Sequence, residues 1–263
     1  MKLFGLMASV LASASLLVGA TAAKADQLDS VHQKGVLKVA VPQDFPPFGS
    51  IGIDLKPQGY DIDMAGYLAD KLDVKLELVP VTSANRIPYL QTGKVDLVIS
   101  SMGKNPERAK VIDFSEAYAP FYLGVFGSED EAVGDAKDLS GKTIGVTRGS
   151  VEDLELSKIA PADTVIKRFE DNNATLSSFL SGQVSLIATG NLVVTEIATR
   201  YPAKAPKTKF LLKNSPCFVG VMKGEESLLK EVNRLISQAK EEGVLEGFSQ
   251  KWLKAPFPAD LGA

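Results

Sequence analysis

The sequence of 263 residues has little of several residue types on which common protein chemistries depend. Its single cysteine, Cys217, can form neither an intramolecular disulfide nor a thiolate metal cluster. Its single histidine, His32, lies in a lysine-flanked N-terminal segment, which argues against a Ser-His-Asp triad. The spacings of P-loops, dinucleotide-binding loops, zinc proteases and EF-hands are also missing. We therefore expect no catalytic residue, no bound metal and no cofactor.

An excess of positive charge is missing as well. The chain has 29 basic and 32 acidic residues, a formal net charge of -3 and a sequence pI of about 5.4. These values exclude the basic surface that a nucleic-acid-binding protein normally carries. With 45% hydrophobic and 23% charged residues, the composition is that of a soluble globular protein and not of a disordered or multi-span membrane protein.

The first 25 residues differ from the rest of the sequence. Met1 and Lys2 precede an uncharged apolar stretch from Leu3 to Gly19, and Ala23-Lys24-Ala25 fits a cleavage site before Asp26. This pattern predicts a secretory signal peptide over residues 1–25. A membrane anchor is the alternative, but the apolar stretch is slightly short for a span and no basic cluster follows it. The exported chain would be soluble, with 238 residues and a net charge of -5.

The rhythm of apolar residues predicts two α/β units. In the first, strands at residues 36–41, 74–79 and 96–100 alternate with helical patterns, which favours a parallel sheet with helices on its faces. In the second, strands at residues 143–147, 164–168 and 184–188 alternate with helices at 150–159 and 173–180. Terminal helices are expected at residues 225–242 and 244–253, separated by Gly243.

Two extended runs, residues 118–126 and 217–222, flank the second unit. If both cross between lobes, the chain leaves the first lobe once and returns once. We therefore expect lobe 1 to comprise residues 26–119 and 217–263, and lobe 2 to comprise residues 120–216, with hinge strands at the ends of lobe 2.

Ligands of open α/β sheets bind outside the carboxyl ends of the strands, so the loops after the strands are the candidate binding segments. Asp44-Phe45-Pro46-Pro47-Phe48 offers two aromatic rings, for a ligand or for loop packing alone. Residues 147–150 place Ser150 as a helix N-cap, where an anion is favoured. Residues 189–191 are polar and uncharged.

The loop at residues 100–108 carries the most specific chemistry. Asn105 and Pro106 predict the start of a short helix, with Arg108 on its first turn. An arginine there can hold a carboxylate through two parallel hydrogen bonds. Alternatively, Arg108 pairs with Asp113 or Glu116 at the surface. The spacing alone does not decide between these roles.

Together these segments resemble a known family. Its motifs occur in order as Gly59-Tyr60-Asp61-Ile62-Asp63, residues 82–88 (TSANRIP), residues 93–97 (GKVDL), Pro106-Glu107-Arg108 and residues 139–146 (LSGKTIGV). The sequence is similar to the family 3 extracellular solute-binding proteins, the polar amino-acid receptors of bacterial ABC importers. The resemblance implies a two-lobed α/β periplasmic-binding-protein fold of type II, with two crossover hinge strands and the ligand in the cleft between the lobes.

The resemblance also implies a set of ligand-binding residues. Phe45 matches the aromatic that stacks on the ligand, and Arg108 matches the clamp on the α-carboxylate. Ser83 and Arg86 match residues that hold a side-chain carboxylate in the glutamate/aspartate branch, although Arg86 as a structural surface residue is the alternative. The remaining positions match loops of the two lobes: Ser101, Gly103, Ser150, Val151, Gly190 and Asn191.

Two of these positions depart from the family's pattern. Gly103 stands where the family often has Ser or Thr, so a hydroxyl is lost. Gly190 stands where amino-acid binders commonly place the aspartate that receives the ligand's α-ammonium group. A buried ammonium without a carboxylate partner is costly. Either another acid, such as Asp44 or Glu196, takes its place, or the ligand has no α-ammonium group.

The sequence therefore predicts a monomeric periplasmic substrate-binding protein that captures a small polar solute for an ABC permease. The expected ligand is an amino acid, acidic if the Ser83–Arg86 motif holds, and the mechanism is closure of the lobes over it. The alternatives are a binder of carboxylates without an α-amino group, a receptor that serves a sensor, and an exported enzyme similar to cyclohexadienyl dehydratases, which share the fold.

Overall fold

The computed structural model describes residues 26–259 and 261. The predicted signal peptide, residues 1–25, lies outside the described residues. The strands are β1 (Val36–Pro42), β2 (Asp44–Phe45), β3 (Gly49–Ile51), β4 (Pro57–Gln58), β5 (Lys75–Val81), β6 (Leu97–Gly103), β7 (Ile112–Ala119), β8 (Tyr122–Gly127), β9 (Thr143–Thr147), β10 (Val165–Phe169), β11 (Leu186–Gly190), β12 (Lys207–Asn214) and β13 (Cys217–Met222).

The helices alternate with these strands as the apolar rhythm predicts. They are α1 (Gln27–Lys34), α2 (Tyr60–Lys71), α3 (Arg86–Gln91), α4 (Pro106–Ala109), α5 (Val151–Ile159), α6 (Asn172–Leu180), α7 (Asn191–Arg200), α8 (Glu226–Glu241) and α9 (Val244–Phe248). Short 3-10 turns lie at Ala136–Leu139 and Pro202–Lys204, and a π-helical turn at Ser249–Leu253. Over the described part of the chain, no helix has both the length and the apolar character needed to cross a membrane.

The first five-stranded sheet has the strand order β5-β1-β6-β13-β7. Strand β1 pairs in parallel with β5 and β6, as the β-α-β rhythm predicts. Strand β13 runs antiparallel to both β6 and β7, so the sheet is mixed. We call this sheet and the helices packed on it the first lobe.

The second five-stranded sheet has the order β10-β9-β11-β8-β12. Strands β10, β9 and β11 pair in parallel, as the second α/β rhythm predicts, and on one side of them β8 pairs antiparallel with both β11 and β12. Helices α5, α6 and α7 pack on it. We call this sheet and its helices the second lobe.

The extended pattern at residues 118–126 predicts a strand that crosses between the lobes. The run does cross, but it forms two strands and not one. Pro120 and Phe121 interrupt it, so that β7 ends in the first sheet and β8 begins in the second. The chain returns between Asn214 and Cys217, and the Ser215 N–H donates to the Phe121 carbonyl at 2.9 Å. The two crossings are therefore joined directly. The exact lobe boundaries, at residues 119/120 and 216/217, stay a prediction.

The helices of the first lobe bury one apolar face each. On α8 the buried side chains recur at helical spacing: Leu228, Val232, Leu235, Ile236 and Ala239. Burial of each leucine, isoleucine or valine contributes about 1.5 to 3 kcal/mol, so this face holds α8 against the sheet and α1. Gly243, at φ +74°, separates α8 from α9, which confirms the predicted break.

Candidate functional site

A cavity lies between the two lobes, at the carboxyl ends of β1, β6 and β9. It is narrow, with a volume of about 440 Å³ when the space open to solvent is included. Its walls are formed by Pro42, Asp44, Phe45, Val81, Ser83, Arg86, Ser100, Ser101, Gly103, Phe121, Leu123, Ser150, Val151, Glu152, Asn172 and Ser215. Such a site suits a small polar solute.

The first residue of α3, Arg86, brings a positive charge to the wall of this cavity. Its side chain is 5% exposed, so the alternative of a surface residue is wrong. One guanidinium nitrogen donates to the carbonyl of Ser100, while Nε is buried without a hydrogen-bond partner among the described residues. Buried polar atoms are normally paired, so Nε is a donor available to a ligand oxygen. Ser83 lies beside it on the loop that precedes α3.

The end of β6 and the second crossing meet at Gly103. A Cβ atom at position 103 would overlap the hydroxyl of Ser215, which lines the cavity. The Ser215 hydroxyl is itself buried and has no hydrogen-bond partner among the described residues. The space that a side chain at position 103 would need is therefore occupied by the hydroxyl of Ser215, a residue more than 100 positions away in the sequence.

The guanidinium of Arg108 joins the two lobes. Asn105 caps α4 and Pro106 begins it, as predicted, and this places Arg108 with 4% exposure. Its two terminal nitrogens donate to the carbonyls of Gly103 at 2.8 Å and of Gly149 at 2.9 Å. Burial, then the charge of Arg86, lower its pKa to about 9, so Arg108 is still charged at neutral pH.

The contacts of Arg108 are those of neither sequence interpretation, a clamp on a ligand carboxylate or a surface ion pair. Asp113 pairs with Lys223, and Glu116 binds Asn233 and Ser237, so the surface pairing of Arg108 is wrong. Arg108 is also not one of the residues that line the cavity. Its role as a carboxylate clamp stays a prediction.

A second set of bonds between the lobes is formed by Asp44. Its carboxylate accepts a hydrogen bond from the backbone N–H of Asn172 at 2.7 Å and one from the side-chain amide at 3.1 Å. Thr147 donates to the Asn172 side-chain oxygen and fixes the orientation of the amide. The carboxylate of Asp44 thus lies at the N-terminal turn of α6, where the helix dipole favours a negative charge.

Gly149 allows the lobes to approach each other. Its φ is +71°, a value that glycine adopts without strain. A Cβ at this position would lie 3.3 Å from the backbone of Ala84 in the first lobe. With the bonds of Arg108 and Asp44, this contact shows that the lobes are closed on each other.

The start of α5 contributes the second-lobe wall. Ser150 is the N-cap, as predicted, and its hydroxyl accepts from the Asp153 N–H at 3.1 Å. Val151 and Glu152 follow on the first turn and line the cavity. Glu152 is 6% exposed, and this burial raises the pKa of its carboxyl. Hydrogen bonds from its own N–H and from Ser150, and the charges of Arg86 and Arg108, lower the pKa but do not outweigh burial.

Position 190 is closed to any side chain. A Cβ on Gly190 would overlap the ring of Phe121, which lies in the first crossing and lines the cavity. Asn191 uses its side-chain oxygen to accept from the Tyr122 N–H at 3.1 Å and begins α7. Neither Gly190 nor Asn191 is a residue that lines the cavity.

Phe45 forms an aromatic cluster with Phe48 and Phe121. Its ring meets that of Phe121 edge-on at 5.8 Å and stacks with Phe48 at 6.1 Å. Phe48 also meets Phe121 edge-on at 5.2 Å. The cluster keeps Phe45 at the cavity wall and fixes Phe121 over Gly190.

Behind the cavity, Asp61 is completely buried. It accepts hydrogen bonds from the Ser101 N–H and from the Tyr118 hydroxyl, both at 2.6 Å. Burial raises its pKa to about 7, although these two bonds and Arg86 lower it. Asp61 thus joins β6, which carries Ser101, to β7, the strand that leads into the first crossing.

Seven of the ten predicted site residues line the cavity: Phe45, Ser83, Arg86, Ser101, Gly103, Ser150 and Val151. Sequence reasoning missed Glu152, Phe121 and Ser215 as site residues. Glu152 directly follows two predicted residues, which was the signal for it. Phe121 and Ser215 lie in the two crossings, where no motif marks them.

Over the described residues, no group of three or more histidine, cysteine or acidic side chains is placed to hold a metal ion.

Two α/β lobes joined by two crossings, with a polar cavity between them, are the architecture of proteins that bind a small solute by closing their lobes. The chain belongs to the bacterial extracellular solute-binding proteins, family 3, whose profile matches residues 37–255. The predicted family and fold class are confirmed.

Relatives of this chain bind amino acids. The L-cystine-binding protein of Escherichia coli K12 is 27% identical over 231 residues, which cover 87% of this chain and 86% of that protein. The cysteine-binding protein of Campylobacter jejuni has a TM-score of 0.82 at 27% identity, over 89% and 96% of the two chains. An ancestral amino acid-binding protein, described as a precursor of cyclohexadienyl dehydratase, has a TM-score of 0.79 at 30% identity, over 86% and 98%.

Proposed function

We propose that this chain is the periplasmic substrate-binding protein of an ABC importer and captures a small amino acid through its carboxylate. The observation that carries the proposal is the pair of buried donors in the cavity wall, Arg86 Nε and the Ser215 hydroxyl, which have no hydrogen-bond partner among the described residues. A carboxylate is a ligand group that satisfies a guanidinium donor and a hydroxyl together.

Closure of the lobes completes the site. Arg86 and Ser101 belong to the first lobe, while Ser150, Val151 and Glu152 come from the second. A ligand that contacts both sets binds the closed form better than the open form and shifts the population toward it. The closed form is the one that a permease would recognise, and the monomer offers one such site.

The test uses the exported chain, purified from a periplasmic fraction and stripped of bound solutes. N-terminal sequencing is expected to begin at Asp26. A thermal-shift screen of amino acids is expected to raise the melting temperature with at least one of them, since a ligand that binds only the folded state stabilises it. Calorimetry then gives its affinity.

Arg86→Lys keeps the charge but loses Nε and the planar fork. We expect it to weaken the best ligand of the screen by about 10-fold or more, as hydrogen bonds to charged groups contribute about 1.5 to 3 kcal/mol. Arg148→Lys, an exposed arginine paired with Glu170, is the matched control. Equal affinities of both variants would remove Arg86 from the site, and a wild-type chain that binds no amino acid and no carboxylate would refute the proposal.

A second function is favoured by one observation. A dehydratase similar to the cyclohexadienyl dehydratases needs a positioned general acid, and Glu152 is a buried carboxyl in the cavity whose pKa is raised by burial. Incubation of the wild-type chain with prephenate or arogenate, followed by detection of the aromatic product, tests this function. Turnover that is lost in Glu152→Gln would establish it.

A further inference from the structure

Position 190 cannot hold the carboxylate that would meet a ligand's ammonium group. The space beside its Cα is filled by the ring of Phe121, and the aromatic contacts with Phe45 and Phe48 hold that ring in place. An ammonium group directed at position 190 would meet the ring of Phe121 and no carboxylate from that position. An amino acid ligand therefore needs its ammonium partner elsewhere in the wall.

Two acidic residues line the cavity, Asp44 and Glu152. Both oxygens of Asp44 already accept hydrogen bonds from Asn172, one from the backbone and one from the side chain. Glu196 is bound to Arg200 at 2.7 Å on α7 and does not line the cavity. Asp44 is thus bonded to the other lobe, and Glu196 is in an ion pair. Among the described residues, the carboxylate of Glu152 has neither kind of partner within 4.0 Å.

The position of Glu152 suits an ammonium group. It lies on the first turn of α5 and lines the cavity, at the end of the helix where a negative charge is favoured. On the opposite lobe, Arg86 and Ser215 present donors to the same cavity. The wall therefore carries both an anion and unpaired donors, the two kinds of group that an amino acid requires.

We propose that Glu152 receives the ammonium group of an amino acid whose carboxylate faces Arg86 and Ser215, in place of the acid missing at position 190. The inference rests on the proposed function, because it assigns a second contact within the same site. It identifies the ligand class as zwitterionic amino acids and separates them from carboxylates without an amino group.

The energetics follow from burial. Glu152 is 6% exposed and an ammonium group beside it would lose its water too, so each charge requires the other. Loss of one partner of such a pair costs far more than loss of an exposed charge. A ligand that lacks the amino group cannot form this pair with Glu152, and we expect it to bind more weakly.

The experiment compares matched ligands on matched variants. L-glutamate, L-glutamine, L-arginine and L-cysteine, each beside its α-deaminated counterpart, are titrated by calorimetry into the stripped exported chain, and the tightest pair is then titrated into Glu152→Gln. The control is Glu155→Gln, which removes the same charge from the same helix. Glu155 pairs with Lys158 and does not line the cavity.

We expect the wild-type chain to bind the amino acid better than its deaminated counterpart. Glu152→Gln is expected to weaken the amino acid by about 30-fold or more and to change the deaminated ligand by less than about 3-fold. Glu155→Gln is expected to match the wild-type chain for both. Glu152→Asp, which keeps the charge, gives an intermediate loss for the amino acid alone and serves if the glutamine variant does not fold.

Three results would overturn the inference. The wild-type chain could prefer the deaminated ligand, Glu152→Gln could weaken both ligands equally, or Asp44→Asn and not Glu152→Gln could abolish the preference for the amino group. Each of these leaves the capture of a carboxylate intact. If no probe of either kind binds the wild-type chain, the proposed function itself fails.

Discussion

Asp44→Asn tests whether the bonds between the lobes set the affinity of this protein. The carboxylate of Asp44 accepts two hydrogen bonds from Asn172, at 2.7 and 3.1 Å, and both join the first lobe to the second. They exist only while the lobes are closed. The substitution retains an acceptor for the backbone N–H but removes the negative charge at the start of α6 and opposes two amide groups.

The magnitude follows from these bonds. Each hydrogen bond to a charged group contributes about 1.5 to 3 kcal/mol, so the two together contribute about 3 kcal/mol at the lower end of this range, and the neutral bond that survives contributes about 1 kcal/mol. The net loss of the closed form is about 2 kcal/mol, or about 30-fold in the ratio of closed to open molecules. If the free protein is mostly open, the dissociation constant rises by the same factor for every ligand, because each must first close the lobes.

Two measurements check this prediction. Calorimetry is expected to show about 30-fold weaker binding of an amino acid and of its deaminated counterpart alike, and small-angle scattering is expected to show a larger radius of gyration for the variant without ligand. Asp70→Asn, an exposed carboxylate of α2, is the control. Unchanged affinity with unchanged scattering would refute the reasoning, and a loss confined to amino acids would show that Asp44 contacts the ligand directly.

Two further predictions concern the cavity wall and the group behind it. Ser215→Ala is expected to weaken the best ligand by about 3- to 10-fold, and Gly103→Ser by more. The double variant should bind better than the product of both losses, because the Cβ atom at position 103 then occupies the space left by the Ser215 hydroxyl. Additive losses in calorimetry would contradict this. Burial raises the pKa of Asp61 from 3.8 to about 7, so between these values the unfolded chain releases a proton that the folded chain keeps, and stability falls as pH rises. Asp61→Asn is expected to remove this slope, so its melting temperature relative to the wild-type chain should increase from pH 4 to pH 7; a constant difference would disprove the assignment.

The apolar rhythm predicted most of the parallel core. Strands at residues 36–41, 74–79 and 96–100 correspond to β1, β5 and β6, and the helix caps at Asn105 and Ser150 are where the local pattern places them. These features depend on neighbours within a few residues, which a sequence shows directly. The antiparallel strands β8, β12 and β13 depend on partners far along the chain, so the rhythm did not assign them to a sheet.

The loops that surround the site were predicted for the same local reason, since they follow strands. The sequence was a poorer guide to which side chains face the cavity. Arg108 matched a motif, yet its guanidinium binds two backbone carbonyls, and Glu152 matched nothing, yet it lines the wall. The direction of a side chain is set by the packing of both lobes, and a motif records only the residue type.

The two glycines that depart from the family pattern have one structural explanation. The space at Gly103 is filled by Ser215 and the space at Gly190 by Phe121, and these two residues lie in the two crossings between the lobes. The Ser215 N–H donates a hydrogen bond to the Phe121 carbonyl at 2.9 Å. The side chains that complete the cavity therefore belong to the paired segments that must bend when the lobes open. A substitution at Phe121 or Ser215 therefore changes the shape of the site and the closing motion together. Glu152 is outside the crossings, and its substitution separates recognition of the ligand from closure.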